Sequence, residues 1–399
     1  MPQHARRGMA ALGVVLCGTA VACAPPGGDG PRSRADEPPV TSTRAAPAQQ
    51  TRPFTLVATG DVLPHDSVIR QAGADAGPPA DGSYDFRPML AGVRPVISSA
   101  DLAICHMETV YGAHGDYSGY PAFKSPPQIA KGLAATGYDS CSTASNHSLD
   151  DGAAGIRRTL DALDTAGVRH TGSARSAAEA TTPAWLKSAG AKVAQLAYTY
   201  GTNGYPLPEG QPWAVSLLDQ DRIIADARAA RRAGADVVVL SLHWGTEWQT
   251  EPDATQLSLA KALTASRTAG RPDIDLIIGT HAHVPQPYEK VNGTWVVYGM
   301  GDQIAGPMTN YSGSFDARGN QGSIGRFTFT PPRSPGGRWE VTRAEFIPQW
   351  MDTAEGRVVN LPDALARGVD RDDYEEAQTS IRAAVLSRNA EADGLTMGR

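Results

Sequence analysis

At 399 residues, with 41% hydrophobic and 20% charged side chains, the chain has a globular composition and the length to bury a large core in one or two domains. Its 36 basic and 42 acidic residues leave a formal net charge of −6 and no basic patch, which argues against nucleic acid as a partner.

The N-terminus reads as an address rather than as structure. Arg6 and Arg7 precede the apolar stretch MAALGVVLCGTAVA and then Cys23, the pattern of an export signal over residues 1–23 that is too short to span a bilayer in a mature protein. The segment AVAC resembles a bacterial lipobox, with Ala20 where such motifs usually carry Leu. That resemblance makes Cys23 the residue to be lipidated, with plain secretion after nearby cleavage as the alternative. The arginine pair also resembles, weakly, a twin-arginine export signal. Residues 24–53 are rich in Pro, Gly, Ser and Thr without an apolar period and are expected to be a disordered tether. The protein is thus expected outside the cytoplasm, held to the membrane through a lipid.

From residue 54 strand-like and helix-like segments alternate. FTLVATGDV (54–62) and DLAICHME (101–108) are apolar strands, and GYDSCSTASNHSLDDG (137–152) leads into a helix over 153–167 that Gly167 stops. AKVAQLAYTY is a strand, 216–234 a helix, ADVVVLSLHWG (235–245) a strand and 254–270 a helix. DIDLIIGTHAH and TWVVYGMGDQIAG supply two further strands, and RWEVTRAEFIPQWM one more. Residues 371–390 form a closing amphipathic helix with Tyr374, Ala377, Ile381 and Val385 on one face. The alternation predicts an α/β fold built from βαβ units, with a domain over 54–350 and a helical extension over 351–399 packed on it.

Polar residues fall at the ends of these strands: Asp61, Glu108, Asn146 with His147, His243, and His281 with His283. Ligands in open α/β sheets collect outside the carboxyl ends of the strands, so groups far apart in sequence would converge. Oxygen from Asp, Glu and Asn with imidazole nitrogen is a donor set for Zn, Mn or Fe. Each residue alone has a plainer reading. Asp61 would serve as a turn residue, Glu108 as a solvated strand end, Asn146 and His147 as a helix cap with Asp150 or Asp151, and His243 as a core histidine. The pair His281 and His283 is the sharpest signal, because alternation along an extended chain turns both rings to one side.

Taken in order, the motifs TGDVLPHDSV (59–68), DLAICHMET (101–109), the segment 137–173, LHWGTEW (242–248), GTHAHVPQP (279–287) and VVYGMGDQIAG (296–306) resemble the CapA family of poly-γ-glutamate capsule synthesis, within the calcineurin-like metallophosphoesterases. The resemblance covers roughly residues 54–310. It implies a four-layer sandwich, two stacked mixed sheets flanked by helices, and a site for two divalent transition metals. Asp61 and His283 would then serve the first metal, Asn146, His243 and His281 the second, and Glu108 would bridge them. Hydrolysis of a phosphate ester would follow, with His147 or His65 protonating the leaving oxygen. It further implies a cell-envelope polymer or phosphate-ester substrate and a capsule synthesis complex as partners. A non-catalytic, membrane-tethered factor that holds the polymer is the alternative.

The chain departs from the family pattern in places. The first motif lacks Asp-x-His, the nearest histidine being His65; His106 adds an imidazole, and Asp302 stands where relatives commonly carry Asn. Cys105 and Cys141 lie beside the expected ligands, and both a disulfide and two buried thiols remain open. Trp244, Trp248 and Tyr288 read as packing residues, with stacking on a sugar or polymer as the other reading. Substrate specificity is expected in the loops at 111–128, 201–213 and 307–323.

Overall fold

The computed structural model describes residues 51–78, 83–334, 337–369 and 371–399. The export segment, Cys23 and residues 24–50 of the tether lie outside the described residues.

Two large sheets form. In the first, β1 (Phe54–Leu63) runs parallel to β2 (Leu102–Met107), which leads outward to β3 (Ser140–Ser142) and β4 (Arg169–Thr171). The chain then builds a second sheet from β5 (Ala184–Ser188), β6 (Ala191–Thr199), β7 (Val237–His243), β8 (Leu276–Thr280), β9 (Tyr288–Val291) and β10 (Thr294–Val297), in the order β9-β10-β8-β7-β6-β5. It returns to the first sheet through β11 (Asp302–Ala305), parallel to β1 at its C-terminal end. On the other side of that sheet β12 (Gln321–Thr330) pairs antiparallel with β1, followed by β13 (Glu340–Asp352) and β14 (Arg357–Asn360), and β15 (Leu395–Met397) pairs with β13. The run VVVLSLH of β7 is buried at every position, as a central parallel strand covered on both faces must be.

The period of two along each strand sorts side chains into layers. Leu56, Ile104 and Phe327 of the first sheet meet Val193, Val239 and Ile278 of the second in one shared core. Their neighbours Val57, Ala103 and Cys105 face the other way, onto Val68 and Ala72 of α1 (Asp66–Asp75), Leu133 of α2 (Ile129–Thr136) and Leu163 of α3 (Gly152–Ala166). Ala194, Val238 and Ile277 of the second sheet pack against Ile223 and Ala227 of α4 (Gln220–Arg232) and Leu259 and Leu263 of α5 (Ala254–Ala265). Helix, sheet, sheet and helix therefore stack in four layers, as expected from the resemblance.

Local signals behave as the sequence suggests, with two differences. Gly167 ends α3 at φ 80°, and Asp253 with Gln256 forms a reciprocal capping box on α5. That helix stops at Ala265, short of residue 270, because Ser266 turns extended and 267–272 folds into a small two-stranded ribbon. The segment after residue 350 is also more than a helical extension: β14 and β15 complete the first sheet. Between them lies α6 (Asp372–Leu386), whose Tyr374, Ala377, Ile381 and Val385 close the core between the sheets. Among the described residues no helix is long and apolar enough to cross a membrane.

Candidate metal centre

Register brings the donors together. Asp61 on β1 is opposite His106 on β2 to one side and Asp302 on β11 to the other, so three parallel strands deliver donors at one level. In the second sheet His243 is the register partner of Thr280 on β8 and of Thr199 on β6. The C-terminal edges of both sheets meet at this point. Gly60 permits it: a Cβ there would lie 1.7 Å from the Gly301 carbonyl oxygen, which accepts a 3.0 Å hydrogen bond from the Asp61 backbone N–H.

Asn146 and His147 sit on a turn organised by serines. The Ser148 hydroxyl accepts from the Ser145 N–H and donates to the Thr143 carbonyl, and the Ser145 hydroxyl donates to the Glu108 carbonyl while accepting from the His147 N–H. This network ties the turn to the end of β2. His281 and His283 lie past the end of β8, at φ 92° and 58°. Their common facing thus arises from a left-handed loop rather than from strand alternation, with ring centroids 6.0 Å apart. Backbone in that region costs about 1–3 kcal/mol per residue and concentrates where function requires it.

The expected ligands cluster. His243 Nε2 is 2.9 Å from Asn146 Oδ1 and 3.7 Å from Glu108 Oε1, and its Nδ1 is 3.7 Å from Asp61 Oδ1. His281 packs 4.7 Å from the His243 ring and donates its backbone N–H to Asp61 Oδ2 at 3.0 Å. His283 Nδ1 is 3.0 Å from Asp302 Oδ1, the carboxylate–imidazole arrangement that orients a ligating histidine. Three sets of side chains have donor atoms close enough to share an ion: Asp61, His106 and His243; Asp61, His283 and Asp302; and Glu247, His281 and His283.

His106, Asp302 and Glu247 therefore join the cluster. The first two stood out in the sequence only as departures from a pattern; their place follows from strand register. Glu247, within LHWGTEW, was not singled out, since an acidic residue in a polar loop ordinarily reads as solvated. Glu108 belongs to none of the three tightest sets. Of the two histidines expected to transfer protons, His147 holds Asp150 Oδ2 at 2.6 Å through Nδ1, and His65 Nδ1 is 3.0 Å from the Gly306 nitrogen. Both rings pack against Phe123, at 4.8 and 5.1 Å.

The buried atoms of this cluster have unmet bonding capacity. Asp61 Oδ1, His106 Nε2, both Glu108 carboxylate oxygens, His281 Nδ1 and Asp302 Oδ2 are buried without a hydrogen-bond partner. Such groups cost free energy unless something else satisfies them. Burial and the neighbouring Asp302 carboxylate push the Asp61 carboxyl up to about 8, and burial with Asp61 pushes Glu108 well up. Asp302 rises to about 6, chiefly through burial. Burial drives His106 down to about 3 and His243 and His281 well below the ordinary imidazole value, leaving them neutral. Burial opposes charge on His283 too, but Asp302 and Glu108 carry it well above its usual range. Crowded carboxylates beside neutral imidazoles with open nitrogens form a donor set that a divalent cation fits.

The other expectations divide. Cys105 and Cys141 are register partners on β2 and β3, joined as a disulfide with Cα atoms 4.4 Å apart, next to His106 and Ser142. His106 Nδ1 and the Ser142 hydroxyl are 2.7 Å apart, so the bridge lies directly behind this contact. Trp244 and Tyr288 are core residues, the indole donating to the Tyr298 carbonyl at 2.9 Å and the phenol paired with the Ser323 hydroxyl at 2.9 Å. Trp248 instead lines a cleft of about 530 Å³ that opens onto His147, His283 and Glu247.

A capsule biosynthesis protein CapA of Bacillus anthracis is 29% identical over 183 residues, covering 44% of this chain and 42% of its own. The PGA biosynthesis protein CapA of Bacillus subtilis is 29% identical over 194 residues, covering 47% and 49%. The matches thus span less than half the length of these relatives. A calcineurin-like phosphoesterase of B. subtilis superposes with a TM-score of 0.44 at 14% identity, over 84% of this chain and 97% of that one. The sequence profile described as bacterial capsule synthesis protein PGA_cap matches residues 55–307, and the chain belongs to that family.

Proposed function

We propose that the protein is a metal-dependent phosphoester hydrolase that acts outside the cytoplasm in capsule or poly-γ-glutamate type polymer synthesis, tethered through Cys23 beside a capsule synthesis complex. The observation that carries the reading is the set of buried, unpartnered donor atoms on Asp61, His106, Glu108, His281 and Asp302 at the meeting edge of the two sheets. Asp61, His283, His106 and Asp302 would hold one cation, and Asn146, His243 and His281 a second, with Glu108 between them and Glu247 at the open side. Bound there, two Mn, Fe or Zn ions would supply Lewis acidity toward a phosphoryl group and its attacking water.

The rest of the chemistry belongs to side chains. His147, oriented by Asp150, keeps Nε2 free for the leaving oxygen and is the better proton donor. His65 is suited to a different task. His65 Nδ1 is 3.0 Å from both the Gly306 nitrogen and the Leu63 carbonyl oxygen, and burial holds the ring down at about 4 and keeps it neutral. As a neutral ring lining the cleft, it would contact the substrate without giving up a proton.

The test is turnover of chromogenic phosphate mono- and diesters by the Mn-loaded chain and by His147→Ala. The expected loss in kcat is on the order of 10²–10⁴-fold with metal content unchanged. Metal-loaded protein without turnover on any ester would instead favour the polymer-holding role.

A further inference from the structure

Of the three loops expected to carry specificity, 111–128 and 307–323 supply side chains to the cleft. Five aromatic side chains are exposed among the described residues: Tyr120 (77%), Tyr200 (48%), Tyr205 (47%), Tyr311 (74%) and Phe315 (61%). All five lie in or beside those loops. Tyr120, Tyr311 and Trp248 line the cleft itself, with Thr309 and Asn310 between them. Tyr200 stands over His281 with ring centroids 4.4 Å apart, which joins this aromatic rim to the candidate metal cluster. Exposed aromatic surface gathered at one cavity marks a binding site.

Charge narrows the occupant. Among the described residues no Lys or Arg lines the cleft. The loops contain two basic side chains of their own, Lys124 and Arg318, and both are spent, on Asp116 at 2.5 Å and Asp316 at 2.7 Å. Glu247 adds a carboxyl group to the lining. A polycarboxylate would find no cation here beyond the metal cluster and would meet a carboxylate on the way in. Tyr120 and Phe123 meet edge to face, at 72°, so this pair makes no parallel slot of the kind that grips a flat base. Single aromatic faces with amide and hydroxyl groups between them suit a ring that has an apolar C–H face and hydroxyls at its edge.

We propose that the cleft binds a neutral pyranose and that the substrate is a phosphate ester of such a sugar, the phosphate seated at the metal cluster and the ring against Tyr120, Trp248 and Tyr311. The phosphate half rests on the hydrolase reading above; the sugar half rests on the cleft. Recognition of the sugar is then insensitive to salt, since no ion pair takes part.

The test is calorimetric titration of the Mn-loaded full chain with inorganic phosphate, a panel of neutral hexose 1-phosphates, the corresponding methyl glycosides, adenosine monophosphate and a γ-glutamyl oligomer. At least one hexose phosphate is expected to bind 10-fold or more tightly than phosphate, and Tyr120→Ala with Tyr311→Ala to remove that advantage. Both side chains are exposed, so the double variant should melt as wild type does. The proposal is overturned if no hexose phosphate outbinds phosphate, if the nucleotide or the γ-glutamyl oligomer binds more tightly than every sugar, or if the double variant keeps the advantage. Sugar phosphates that bind with the advantage yet are never hydrolysed would sink the hydrolase reading and leave the sugar site standing. If phosphate itself does not bind, methyl glycosides decide the matter: binding lost in the double variant supports the sugar site, and no binding refutes it.

Discussion

Asp61 is fully buried beside a carboxylate on the neighbouring strand, and its raised pKa comes first from that burial and then from Asp302. The unfolded chain gives up these protons near pH 4, whereas the folded, metal-free site holds them to about 6 at Asp302 and about 8 at Asp61. The contribution of these groups to stability is therefore complete below about pH 4 and is lost as pH rises through those values. A cation needs the same groups ionised and His283 neutral, so protons and metal compete. The rise in Tm on adding Mn should accordingly be larger at about pH 8 than at about pH 5.5, measured by scanning calorimetry. An equal rise at both would remove the carboxylates from the metal site. At this scale much was legible: oxygen and imidazole donors at strand ends announced the centre. Glu247 was hidden because a loop carboxylate carries no pattern, and the places of His106 and Asp302 depend on pairing between strands that are distant in sequence.

Elements were legible where they were long and periodic. The apolar run of β7 and the face of α6 could be read from spacing alone, and α6 buries the four residues expected of it. β14 and β15, of four and three residues, are too short to show a period of two, and their pairing with β13 is tertiary information. α6 is more than an appendage, because Ile381 is fully buried in the core between the sheets. Ile381→Ala should cost about 2–5 kcal/mol, read as a shift in the denaturant midpoint. A cost near zero would contradict the burial of Ile381 in that core.

The described residues form a sandwich whose two sheets contribute different halves of one candidate centre. Asp61, His106, Glu108, Asn146 and Asp302 come from the first sheet and the segments beside it, His243, His281 and His283 from the second. No short peptide could hold these donors; the shared core between the sheets sets their spacing. The proposed tethering belongs to this scale too. Cys23→Ser should move the protein from the membrane fraction to the soluble fraction, and continued tight membrane association after that change would contradict lipid anchoring through this residue.

Metal binding at the meeting edge of the sheets is tested most directly by metal content per chain, measured by elemental mass spectrometry for the purified protein and for His281→Ala with His283→Ala. About two divalent cations per wild-type chain are expected, and their loss in the double variant, with its cooperative melting retained. A variant that keeps its full metal content, or a wild-type chain that takes up none from excess Mn, Fe or Zn, would contradict it.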